Sequence, residues 1–356
     1  MTPWPCRDIV ALSLCSSLTA ADVIAMAGAL PTLEDAFDVL PALPGMQPCD
    51  ALRDGAEQAL RRAEVSGTDV ITFFDDRYPE RLRTIPAPPA MLWVQGALPP
   101  RSVPAVAVVG TRSCTASYGK PVTDTLTEAW VRAGCCIVSG LAAGVDTVAH
   151  ERTLRSGGTT VAVIASGTDR ISPSAAATLA KRIVDGGGAI VSEYRCGVAA
   201  LPPYFPQRNR IIAGLADAVV VTESAAKGGA LITAEFARRL QRPLYAVPGS
   251  ILSSRSTGTN ALLAAGLATM CVHADDVLAS IGITAQQTMF PLAASLTPRQ
   301  SAIVSALDGD DIHVDTLARH LNVDVGTVLS EMLALELTGA VVQTSPLRYA
   351  ARKSAG

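Results

Sequence analysis

Two glycine-bearing turns and one basic segment hold most of the residues in this sequence that could do chemistry. VAVVGTRSCTASYG, from Val106 to Gly119, puts Gly110 where an apolar run ends and Arg112 just beyond it. A close turn before a helix presents backbone amides to an anion, and the planar fork of an arginine suits phosphate oxygens. The plainer reading is a tight turn with an incidental surface arginine. SGLAAGVDTVAH, from Ser139 to His150, repeats the scheme with Gly140 and Gly144. Its Asp146 and His150 are four apart on one helical face, which could describe a metal or acid–base pair. No second ligand cluster accompanies them, so Asp146 is expected to support the helix start and His150 to pack or hydrogen-bond.

The richest segment runs from Tyr204 to Leu240. It supplies Arg208, Arg210 and Lys227 near strand ends, with Tyr204 and Phe205 beside them. From Tyr204 to Arg242 there are six basic and three acidic residues, a balance of +3. Cations that follow a phosphate backbone, with rings that stack on bases, are what single-strand binding requires. The competing reading makes Phe205 a core residue and the arginines ordinary ion-pair partners, and composition leaves both open.

Other chemistry lacks its constellation. No complete GxGxxG occurs at the first turn, and Gly119-Lys120 is followed by Pro121 where a phosphate-binding P-loop needs Ser or Thr. Dinucleotide and ATP sites are therefore not expected, and no cofactor or catalytic residue is assigned. Glu193 and Glu223 both follow apparent strand ends and read as structural or gatekeeping acids. Cys6, Cys15, Cys49, Cys114, Cys135, Cys136, Cys196 and Cys271 include no CxxC pair and read as reduced thiols, with no metal implied. The formal charge is 29 minus 32, or -3, so any phosphate binding must come from a local patch. The apolar stretch from Ile9 to Cys15 is too short to span a membrane and reads as a buried helix, which makes the cytoplasm the expected compartment.

What must position these residues is a packed α/β core. At 49% hydrophobic and 17% charged, the chain should fold throughout most of its 356 residues. Residues 1–68 alternate apolar helical stretches with Pro/Gly breaks, a small N-terminal helical module. Residues 69–285 then repeat strand, glycine-bearing turn and helix. Strands are expected at Ala105–Val109, Cys135–Ser139, Thr160–Ala165, Ala189–Ser192, Ala218–Thr222, Leu244–Val247 and Thr269–Val272. Near-continuous Val/Ile runs of this kind belong to strands covered on both faces, so the fold expected is an extended Rossmann-like, doubly wound, mostly parallel sheet.

Residues 286–297 read as a linker and 298–356 as a C-terminal winged-helix domain. Its helices are expected at Arg299–Leu307, Thr316–Leu321 and Val325–Leu337, followed by a two-stranded wing. From Ser295 to Gly356 five basic residues face seven acidic ones, and the candidate recognition helix carries Glu331 and Glu336 with no Lys or Arg. Protein contact suits this unit better than strong DNA binding.

The sequence resembles the DNA-processing protein A family, also called DprA or Smf, nearly end to end. The resemblance is carried by FFDDRYPERL (Phe73 to Leu82), VAVVGTR, SGLAAGVDTVAH, GAIVSEY (Gly188 to Tyr194), FPQRNRIIAGLADAVVVTES (Phe205 to Ser224), GGALITAEFA, AVPGS (Ala246 to Ser250) and STGTNALLAAG (Ser256 to Gly266). It implies a homodimeric protein that binds single-stranded DNA, protects incoming DNA and helps load the recombinase RecA in natural transformation and homologous recombination. Motif by motif it assigns DNA contact to Arg112 and, through FPxRNR, to Phe205, Arg208 and Arg210. With the glycine turns and the basic segment, the full set of expected DNA contacts adds Gly110, Gly140, Asn209, Lys227 and Gly228. Two departures stand out: Ser172-Pro173 replaces the family's Tyr-Pro, and GGALIT replaces SGSLIT at Gly228 to Thr233.

The rival is a nucleotide phosphoribohydrolase with a related fold and a PGGxGTxxE motif. Gly228, Gly229 and Glu235 match its spacing, but Leu231 and Ile232 stand where it has Gly-Thr. A bulky Leu where backbone must approach phosphate speaks against that enzyme.

Overall fold

The computed structural model describes residues 4–40, 47–283, 297–307, 311–337, 340–345 and 347–351. The chain divides into two compact units, Met1–Thr284 and Ala285–Gly356.

The first unit opens with helices α1 (Cys6–Ser13), α2 (Ala20–Ala29), α3 (Leu33–Val39) and α4 (Cys49–Val65). Thr19 and Thr32 start α2 and α3 through reciprocal capping boxes with Asp22 and Asp35, which satisfy amides that a helix cannot pair by itself. Ile9 to Leu12 are buried in α1, and no described helix is long and apolar enough to cross a membrane. The module closes on Met91 and Trp93, so it shares a core with the sheet that follows.

That sheet has nine strands in the order β1-β2-β6-β5-β4-β3-β7-β8-β9. The lead-in strands β1 (Thr68–Thr72) and β2 (Met91–Gly96) flank the short helix α5 (Glu80–Arg83); β1 pairs antiparallel with β2, and β2 attaches antiparallel to β6. The remainder is parallel: β3 (Ala105–Val109), β4 (Cys136–Ser139), β5 (Thr160–Ile164), β6 (Ala189–Ser192), β7 (Ala218–Val221), β8 (Leu244–Ala246) and β9 (Thr269–Met270). Two of these have the bounds expected from sequence, and the others are shorter by one or two residues. β3, β5 and β7 are buried along their full length, because helices cover both faces.

Those helices are α6 (Gly119–Arg132), α7 (Val145–Arg155), α8 (Ala177–Asp185), α9 (Tyr204–Leu215), α10 (Ala230–Arg239), α11 (Thr257–Ala264) and α12 (Ala274–Ser280). From β3 the chain winds outward through β4, β5 and β6, then α9 carries it back to β7 on the other side of β3. At such a reversal the loops leaving neighbouring strands diverge and open a crevice at the carboxyl edge.

The second unit contains α13 (Pro298–Ala306), β10 (Ile312–His313), α14 (Val314–Leu321), α15 (Val325–Leu337), β11 (Val341–Ser345) and β12 (Arg348–Ala351), with strand order β10-β12-β11. Ile303, Leu317, Val328 and Met332 bring the helices onto one core, giving a winged helix. The expected linker, 286–297, lies outside the described residues apart from Thr297.

Candidate nucleic-acid interface

The turns after β3, β4 and β7 are bolted together at the carboxyl edge. Thr111 N–H donates to the Glu223 carbonyl at 2.7 Å, and Val145 N–H donates to the Thr111 carbonyl at 3.2 Å. Gly144 adopts φ +82°, and a Cβ there would lie 2.2 Å from the Thr111 oxygen, so only glycine lets these turns interlock. A Cβ on Gly110 would lie 2.4 Å from Val145 Cγ2 and 2.8 Å from the Glu223 carbonyl oxygen.

Glu223 is 1% exposed. Its carboxylate accepts from Thr115 N–H at 2.9 Å and Thr115 Oγ1 at 2.8 Å, and Thr115 Oγ1 accepts from Gly119 N–H at 2.8 Å. This acid therefore braces the arginine-bearing loop from beneath. Burial, reinforced by Glu223, pushes the Cys114 thiol up to about 12, so no thiolate nucleophile arises here.

Helix α9 brings the FPxRNR residues to the same edge. Its start carries no side-chain cap, and the Arg112 guanidinium lies 5.4 Å from the Phe205 ring centroid. Arg112 is exposed and Phe205 half-buried.

Arg208 and Asn209, expected from the motif to touch DNA, are turned inward. Arg208 is 5% exposed, and its Nη1 donates to the Gly140 carbonyl at 2.6 Å and to the Val163 carbonyl. A Cβ on Gly140 would lie 2.2 Å from that nitrogen, which explains the glycine. Burial lowers the Arg208 pKa to about 10, partly offset by the Asp146 charge. Asn209 is 9% exposed and its Nδ2 reaches the Gly229 carbonyl at 3.4 Å, linking α9 to the loop of Lys227 and Gly228. Two positions on from Arg208, about half a helical turn away, Arg210 is only half-buried.

The Asp146–His150 pair has the supporting part expected of it. Asp146 accepts from Gly140 N–H at 3.1 Å and Ala142 N–H at 3.2 Å, while burial raises its carboxyl against the opposing pull of Arg208. His150 Nδ1 lies 2.7 Å from Thr160 Oγ1. Its pKa is lowered to about 3, by burial first and the Arg208 charge second, so the imidazole is neutral.

Arg210 is held in an ion pair with Glu193 at 2.5 Å. Beside it the rings of Tyr194 and Tyr204 stack with centroids 4.2 Å apart, and Tyr194 Oη donates to Gln207 Oε1 at 3.0 Å.

Charge is distributed very unevenly. Among the described residues of the first unit, the cations without an ion pair are Arg112, Lys120, Arg170, Arg182, Arg195, Arg208, Lys227, Arg242 and Arg255. Apart from Arg182 in α8 and Arg242 before β8, all lie on loops or helix starts at the carboxyl edge. The acids there are already committed: Asp169 to Arg62 at 2.7 Å, Glu193 to Arg210, Glu223 to Thr115 and Asp146 to backbone amides. The edge consequently presents positive charge although the whole chain is acidic.

Of the residues expected from sequence, Gly110, Arg112, Gly140, Phe205 and Arg208 converge around β3, β4 and α9. Lys227 is exposed and Gly228 half-buried in the turn after β7. Sequence reading missed Lys120, Arg170, Arg195 and Arg255, whose one shared signal is a position between a strand's carboxyl end and the first turn of the helix that follows. No group of three or more His, Cys, Asp or Glu able to hold a metal occurs among the described residues.

Fold and edge define the class: a Rossmann-type protein with a cationic carboxyl edge, in one chain with a winged-helix unit. The sequence profile for DNA recombination-mediator protein A matches residues 69–282, and that for the DprA winged helix domain matches 288–345. The chain belongs to this DprA/Smf family. It is 32% identical over 333 residues to Protein Smf of Synechocystis sp., covering 83% of each chain. Among solved structures, DNA processing protein A from Streptococcus pneumoniae superposes with a TM-score of 0.59 at 32% identity, covering 77% of this chain and 92% of that one. DNA processing protein A from Helicobacter pylori, described for its single-stranded DNA binding mode, gives 0.54 at 29% identity, covering 61% and 97%.

Proposed function

We propose that this chain is a non-catalytic cytoplasmic protein that binds single-stranded DNA along the carboxyl edge of its sheet. In this reading it protects incoming DNA and hands it to a RecA-type recombinase during natural transformation and homologous recombination. The observation that carries the proposal is the concentration of unpaired cations at that edge, with Arg112 set over the Phe205 ring. Strand phosphates follow the cations, the amides of the glycine turns add neutral donors, and Phe205 offers its ring to a base. Arg208 and Asn209 support the surface from behind. The single-strand binding described for the Helicobacter pylori relative supports the same reading.

In this account residues 1–68, 69–285 and 298–356 are the helical, strand-binding and winged-helix parts, joined by a linker at 286–297. A homodimer is supported by the apolar residues exposed around the terminal strand β9: Leu267 at 38%, Met270 at 51% and Val272 at 56%. The winged helix, with Gln300 and Arg299 both spent on Glu331, suits contact with protein better than with phosphate.

The test is a mobility-shift comparison of single-stranded and duplex oligonucleotides at two salt concentrations, with and without residues 298–356. Retention of the single strand by both forms is expected; indifference to oligonucleotides at low salt would refute the reading. The phosphoribohydrolase alternative is weakened by Glu235, whose carboxylate is engaged by Arg238 at 2.8 Å and Arg239 at 2.9 Å on the exposed face of α10. Free base released from nucleoside monophosphates would revive it.

A further inference from the structure

The loop between β8 and α11 carries two adjacent aliphatic side chains, Ile251 and Leu252, that are 90% and 92% exposed. They are not the tip of a loose excursion. Gly249 is clamped at both backbone atoms by Asn260, whose Oδ1 accepts its N–H at 3.0 Å and whose Nδ2 donates to its carbonyl at 2.9 Å. Within the loop Leu252 N–H donates to Ser250 Oγ at 3.2 Å, Ser253 N–H to the Ser250 carbonyl at 3.0 Å and Ser256 N–H to the Ser253 carbonyl at 3.1 Å. A braced loop thus holds two aliphatic groups in water, where they gain nothing from folding.

The same loop is tied to the one that carries Arg112. Tyr118 Oη donates to the Pro248 carbonyl, and the Arg255 guanidinium donates to the Ser113 carbonyl. The apolar tip is therefore fixed beside the loop that carries Arg112.

We infer that Ile251 and Leu252 form an apolar base-contact site, packing against the faces of unpaired bases in a strand whose phosphates lie on the neighbouring cations. This rests on the strand-binding reading and adds a residue pair to it. Bases have apolar faces that stacked duplex DNA hides and single strands expose, and aliphatic side chains pack on such faces without reading sequence. The two ties to the Arg112 loop set the tip next to the cations that the strand's phosphates would follow.

The experiment uses the full chain and fluorescence anisotropy with oligo-dT and an abasic oligonucleotide of the same length. Wild type should prefer oligo-dT. The Ile251→Ser/Leu252→Ser variant should lose about tenfold in oligo-dT affinity, with abasic affinity and unfolding temperature unchanged. Ile251→Met/Leu252→Met, which keeps the apolar surface, should retain the preference. A serine variant that keeps the full preference overturns the site, and so does one that keeps it but no longer self-associates in sedimentation, because the pair then faces a second copy. If wild type ignores both oligonucleotides, the strand-binding reading itself falls, a result distinct from either.

Discussion

The Arg112 guanidinium sits 5.4 Å from the centroid of the Phe205 ring. A residue from the turn after β3 and one from the first turn of α9 thereby form one surface, although most of the winding of the sheet separates them in sequence. The ring's negative face orients a cation that no carboxylate neutralises, so the guanidinium fork stays available to an incoming anion.

If that surface holds a strand, Arg112→Ala and Phe205→Ala should each weaken oligo-dT binding by roughly tenfold or more. The double variant should lose less than the product of the two, because each residue orients the other. Arg112 is exposed, so its removal should leave the unfolding temperature unchanged. Anisotropy titration beside thermal unfolding checks both halves.

Arg208 should behave in the opposite way. Its removal leaves the Gly140 and Val163 carbonyls without their donor and buried Asp146 without its countercharge. Breaking a buried charge arrangement from one side costs about 3 kcal/mol, so Arg208→Ala should unfold at markedly lower denaturant. A midpoint equal to wild type would contradict the inward-facing assignment.

Glu193 holds Arg210 in an ion pair at 2.5 Å, and under the strand-binding proposal it competes with phosphate for that guanidinium. Glu193→Gln releases the guanidinium and removes a negative charge from the edge, so oligo-dT binding should tighten by roughly threefold to tenfold. Weaker binding would mean that the pair positions Arg210 rather than masks it.

His150 sets a pH dependence. Its pKa is about 6.5 when unfolded and lowered to about 3 in the fold, so between these values the unfolded chain binds the extra proton. Its contribution is present above pH 6.5 and is lost as the pH falls, by about 2 kcal/mol at pH 5. Asp146, whose carboxyl is raised by burial, acts in the opposite sense, so the informative comparison is with His150→Gln. That variant should lose less stability than wild type between pH 7 and pH 5 in chemical denaturation.

Much of the scaffold was legible because parallel strands covered on both faces must be apolar without interruption, as Ala105–Val109 and Ala218–Val221 are. The antiparallel attachment of β2 to β6 was not, since alternation within a strand does not say which edge it joins. In the site, the glycine turns declared Gly110, Arg112 and Gly140. Burial divided the FPxRNR arginines: sequence shows their charge, but depth follows from how α9 crosses β3, β4 and β5. Arg170 and Arg195 were invisible because an isolated surface arginine has no motif; only the strand order places both on the same edge as Arg112.

The most direct measurement is the salt dependence of single-strand affinity, taken for wild type and for Arg112→Ala/Arg170→Ala/Arg195→Ala/Lys227→Ala. Each cation that neutralises a phosphate of a single strand contributes about 0.7 to the slope of log affinity against log salt. The variant's slope should be shallower by nearly that amount for each residue removed, with folding intact. An unchanged slope and affinity would contradict the assignment of the carboxyl edge as the strand's binding surface.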